Sequence, residues 1–78
     1  MSVYAREALA SAKQLCRTLD SAPSPHARAQ AIFAELARTE GWTPQQEAKI
    51  REFGTWLAER PPSSALKARC QQLLAALA

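Results

Sequence analysis

Prolines divide this chain at near-even intervals: Pro23 and Pro25, then Pro44, then the Pro61-Pro62 pair. A proline inside a helix removes a backbone hydrogen bond and clashes with the preceding turn, so no helix runs through these marks. At the first helical position it costs nothing, because that N–H has no intrahelical partner. The stretches between are about 15 to 18 residues long, the span of an ordinary helix. The chain is therefore expected to be all-α, a single domain folded as a compact bundle of four short antiparallel helices. Their expected bounds are about 3–20, 25–40, 44–60 and 64–77.

Each stretch carries the pattern of a helix with one buried face. In the first, Ser2 can cap the start, and Ala5, Leu9, Ala12, Cys16 and Leu19 alternate steps of four and three. Tyr4, Ala8 and Leu15 widen that face on one side. The second has Ser24 as N-cap, Pro25 at the first position, a stripe of Ala29, Ile32, Phe33, Leu36 and Ala37, and Gly41 as stop. In the third, Thr43-Pro44-Gln45-Gln46 sets a cap hydroxyl three residues before a capping-box glutamine. Ile50, Phe53 and Leu57 then face inward, with Gly54 beside them. A glycine there costs about 1 kcal/mol against alanine, so close approach of another helix is the expected compensation. The fourth takes Ser63 or Ser64 as cap and buries Leu66, Cys70, Leu73 and Leu77, with Leu74 alongside.

The core must be small. Apolar residues make up 47% of the chain, but nearly half of these are alanine. Bulk comes from nine leucines, two isoleucines, one valine and five aromatics, near the lower limit for a domain without staples. No apolar run reaches the length of a membrane span, and no basic-then-apolar leader opens the chain, so no membrane association is expected. Richness in Ala, Arg and Pro suggests a GC-rich bacterial or phage genome. Cys16 and Cys70 read as small buried hydrophobes in a reducing cytoplasm; a disulfide is the alternative, since their helices could be neighbours.

Catalytic chemistry finds no foothold. His26 is the one histidine, in the first turn of the second helix, where the dipole disfavours a charged imidazole. Cys16, His26 and Cys70 match no familiar metal spacing, and the seven carboxylates are scattered singly over polar faces. There is no glycine-rich phosphate loop. The expectation is a non-enzyme with no cofactor and no metal.

Surfaces offer more. Trp56 lies about 60° off the Ile50–Phe53–Leu57 stripe, with Lys49, Glu52 and Arg60 as helical neighbours. It either borders the core or anchors a partner, since Trp and Arg dominate binding hot spots. Trp42, between Gly41 and Thr43, either folds over the end of the bundle or serves as a recognition residue on an exposed turn. Arg6, Lys13 and Arg17 form a ridge on the first helix that could track a phosphate backbone, flanked by Glu7 and Asp20. The net charge of +3 is mild, so nucleic acid is permitted rather than demanded. Ala37, Gly41 and Ile50 also fall where a helix-turn-helix places a small residue, a turn glycine and a late apolar residue. The segment thus resembles that motif over about 20 residues, which implies base contacts from Gln45, Gln46 and Lys49. Glu47 departs from it at a position the motif keeps apolar.

The expected function is that of a small protein-binding regulator or adaptor, of inhibitor or anti-activator type, such as phages and plasmids carry as accessory proteins. Self-association through the alanine-rich faces is a further option. The alternative is a DNA-binding transcriptional regulator using the second and third helices. The fold should not depend on a disulfide: circular dichroism is expected to give the same helical signal with and without reductant, and a large loss on reduction would refute this.

Overall fold

A computed structural model describes residues 2–78 and contains four helices: α1, Val3–Arg17; α2, Pro25–Arg38; α3, Pro44–Ala58; and α4, Ser63–Leu77. A 3₁₀ turn, Leu19–Ser21, follows α1, and there is no strand among the described residues. The helices form a ring in which α1 packs on α2, α2 on α3, α3 on α4 and α4 on α1. The α2–α4 diagonal also touches, whereas α1 and α3 lie on opposite sides and do not pack together. Contacts between opposite ends of successive helices make the arrangement up-down-up-down. His26 at the start of α2 meets Pro61 just past α3, Gln46 at the start of α3 meets Leu77 at the end of α4, and Cys16 late in α1 meets Lys67 early in α4. The Cα radius of gyration, 11.5 Å, is that of a chain of this length fully collapsed.

The starts of the first three helices follow the sequence. The Ser2 hydroxyl accepts from the Ala5 amide at 3.0 Å. Pro25 opens α2 with Ser24 at the cap position, although the Ser24 hydroxyl makes no cap bond. Both halves of the Thr43–Gln46 capping box are formed. The start of α4 differs. Pro62, extended at ψ 145°, is the cap residue, so Ser63 and Ser64 are already helical. The first bond runs from the Ala65 amide to the Pro62 carbonyl at 3.0 Å.

Three ends fall two or three residues short of expectation, each for a visible reason. After Arg17 the chain tightens into the 3₁₀ turn, which swings Leu19 into full burial against α2 and α4. The Arg28 guanidinium donates to the Thr18 hydroxyl and to the Leu15 and Thr18 carbonyls, a cation where the α1 dipole is negative. α2 stops at Arg38, where the Thr39 hydroxyl donates to the Glu35 carbonyl at 2.6 Å and the Trp42 indole N–H to the Leu36 carbonyl at 2.9 Å. α3 stops at Ala58, and Arg60 takes the left-handed cap conformation, φ 54°, in which its amide bonds the Leu57 carbonyl.

Phe53, Leu19, Ile32, Leu36, Leu66 and Leu77 are the fully buried bulk of the core. At its edge the Phe33 ring of α2 lies on the bare backbone of Gly54 in α3: a Cβ there would fall far inside van der Waals contact with Cε1 and Cζ of the ring. Close approach therefore compensates the glycine, as the sequence implies. Gly54→Ala is expected to lose its propensity gain of about 1 kcal/mol to the displaced ring, and Gly54→Leu to destabilise by roughly 1–3 kcal/mol. Phe33→Leu should relieve much of the Gly54→Leu loss. Thermal melts of the four proteins check this, and an unchanged melting temperature for Gly54→Leu would refute the contact.

Candidate functional site

The anchor expected at Trp56 is half-buried in the seam between α3 and α4. Its ring lies 5.8 Å from that of Phe53, centroid to centroid and tilted by 33°. On its outer side the Arg69 guanidinium of α4 sits 5.4 Å from the ring centroid, a cation–π contact that covers the indole. Lys49 and Glu52 pair with each other at 4.0 Å, both largely in solvent. Arg60 projects from the left-handed turn beyond α3. Lys49, Glu52 and Arg60 therefore do not surround an open tryptophan. Arg69, remote in sequence, is a partner of Trp56 that the helical neighbours on α3 do not reveal.

Trp42 is a correction as a partner-binding residue. It is 8% exposed, folded over the end of the core and tied to Leu36 by its indole N–H. Of the two arrangements open to it, the ring closing the bundle is the one realised.

The helix-turn-helix resemblance does not extend to the geometry. In that motif two helices cross at a wide angle, about 90–120°, and diverge from the turn. Here α2 and α3 lie side by side along their whole length as an αα-hairpin, so that His26 and Pro61, far from the connecting loop, meet at 2.6 Å. Gln46 is also occupied. Its Oε1 accepts from the Thr43 amide at 2.8 Å and its Nε2 donates to the Leu77 carbonyl at 3.1 Å, so the side chain is engaged within the fold. Gln45 is exposed and makes no side-chain hydrogen bond in the described structure. Arg6, Lys13 and Arg17 are exposed and enter none of the ion pairs among the described residues. Lys13 and Arg17 border a groove toward α4, beside Gln71 and Leu74.

A second groove lies on the other flank of α1. Among the described residues the exposed large hydrophobics are Val3, Tyr4 and Leu15, all on that helix, at 64%, 73% and 37%. Tyr4 and Leu15 were expected to widen the core face, and only Ala8 of that group is buried. The reason is the partner helix. Opposite Tyr4, α2 and its following loop present Glu35, Arg38 and Glu40 instead of an apolar lid. The result is a groove of about 650 Å³, with Glu7 and Ser11 completing the α1 wall. Glu35 pairs with Arg38, whereas Glu7 and Glu40 belong to no ion pair among the described residues. Glu7 and Ser11, one and two turns along from Tyr4 on the same flank, were the signal in the sequence that this flank faces water.

The thiols and the histidine hold structure. His26 Nε2 donates to the Pro61 carbonyl, fastening α2 to the α3–α4 link. Cys16 and Cys70 are both free and buried, and the Cys16 thiol contacts the Lys67 carbonyl at 3.8 Å. Burial, with Cys16 as neighbour, pushes the Cys70 thiol well above its ordinary range, so it stays neutral. No group of side chains suited to hold a metal ion occurs among the described residues, and no described helix is long and apolar enough to cross a membrane.

No protein-family model, curated protein or solved structure matches this chain. The indole–guanidinium contact is expected to contribute to stability. In a double-mutant cycle, Trp56→Ala and Arg69→Ala should couple by about 0.5–1 kcal/mol. Additive losses in denaturant melts would show that the contact contributes nothing.

Proposed function

We propose that this domain is a small protein-binding regulator or adaptor, acting through the α1–α2 groove. The observation that carries the reading is Tyr4, 73% exposed at the lip of that groove and the most exposed of the large hydrophobics among the described residues. Leaving an aromatic in water forgoes the free energy of burying it, about 1.5–3 kcal/mol, which association with a partner recovers. Aromatic side chains combine a large apolar area with few rotamers and are enriched at interface centres. Inhibitors and anti-activators of phage or plasmid origin are the class this profile suits. Two thiols in the core suit a reducing compartment such as the cytoplasm.

A second reading, DNA or RNA binding along α1, is favoured by Arg6, Lys13 and Arg17, three exposed cations that enter none of the ion pairs among the described residues. One set of variants separates the two. Affinity capture from native lysate with the wild type, Tyr4→Ala and the Arg6→Ala, Lys13→Ala, Arg17→Ala triple variant is expected to retain a protein partner that Tyr4→Ala loses roughly thirtyfold or more, the mark of a hot spot. The melting temperature should not change, because Tyr4 is exposed. A captured nucleic acid, lost in the triple variant and kept by Tyr4→Ala, would favour the second reading instead.

A further inference from the structure

Resting on the reading of the α1–α2 groove as a protein interface, we propose that the segment it receives is cationic: a Lys or Arg side chain of the partner, set beside an apolar residue. Three features of the groove point to that chemistry. The Tyr4 ring is 73% exposed, and the face of an aromatic ring attracts a cation through its quadrupole. Glu7 on the same flank of α1 and Glu40 from the far wall bring two carboxylates to the same groove, neither of them in an ion pair among the described residues. Glu35 is already neutralised by Arg38, so the charge available to a partner comes from Glu7 and Glu40.

The sign of this patch is opposite to that of the chain, whose net charge is +3. At physiological salt the field of a charge fades over about 8 Å, so the groove acts on a docked segment more than the distant cations do. An acidic segment would be repelled from this groove and drawn to the opposite flank of α1, where Arg6, Lys13 and Arg17 stand. A volume of about 650 Å³ is enough for a few residues of extended chain or for one helix turn with its side chains. The buried Ala8 at the base of the groove gives an apolar footing for the residue beside the cation.

The test is selection of a phage-displayed library of random peptides on the immobilised wild-type domain, repeated on Tyr4→Ala and on Glu7→Gln with Glu40→Gln. All three side chains are at the surface, and unchanged thermal melts of the variants establish that the fold is intact. The proposal expects selected peptides enriched in Lys or Arg next to an apolar residue, lost on Tyr4→Ala. Their affinity should weaken roughly three- to thirtyfold on the double glutamine variant, the loss expected of two partly screened ion pairs. Peptides that need Tyr4 but show no enrichment in Lys or Arg would overturn the cationic partner while leaving the interface in place. Absence of any peptide that needs Tyr4 would overturn both. Light scattering that finds a concentration-dependent dimer broken by Tyr4→Ala would assign the groove to a second copy of the chain, and would also overturn the proposal.

Discussion

Helix ends are what this fold has to solve. Helices of 14 or 15 residues are marginal in water by themselves, and each leaves its last carbonyls without intrahelical partners. Here several of those carbonyls are met by side chains, some from another helix and some from the turn that follows. Arg28 of α2 closes the end of α1, Thr39 and Trp42 close α2, and Gln46 of α3 closes α4. His26 does the same for Pro61, on the link beyond α3. Most of these bonds exist only when two helices are already side by side. Helix formation and helix packing are therefore one event, as the all-or-none unfolding of small domains requires.

The same circumstance decides what was legible in the chain. Starts were readable because a cap and a proline act within four residues of each other: Ser2, Pro25 and the Thr43–Gln46 box stand where the pattern puts them. Ends were less so, because some of their partners come from other helices. Nothing near Arg17 announces that Arg28 will bond the carbonyls of Leu15 and Thr18, and although Trp42 follows α2 closely, no cap pattern marks its indole as the donor to Leu36. Gly54 signalled a close contact, but not that the ring of Phe33 makes it. The candidate site shows the limit most clearly. A helical wheel gives the angle of Trp56 and of Tyr4 about their own helices, and not what the next helix sets against them. Arg69 covers the first; the polar wall of Glu35 and Arg38 leaves the second open.

α1 is the helix on which the surface divides. Its inner stripe of Ala5, Leu9, Ala12 and Cys16 is buried, and its two flanks carry opposite character. Toward α2 stand Tyr4, Glu7 and Ser11; toward α4 stand Lys13 and Arg17. With α3 on the far side of the ring, nothing in the bundle covers the outer surface of α1. A partner approaching it meets an electrostatic gradient across a single helix diameter, which fixes orientation more than it adds affinity.

The neighbouring thiols of Cys16 and Cys70 give the molecule an internal gauge. Both sit where α1 meets α4, with almost no surface of their own. A thiol reacts as the thiolate, and in the closed fold that form of Cys70 is suppressed. A maleimide or a disulfide reagent in solution therefore modifies Cys70 only during moments when the packing around it opens. The speed of its labelling, followed at increasing reagent concentration, reads first the equilibrium and then the rate of that opening.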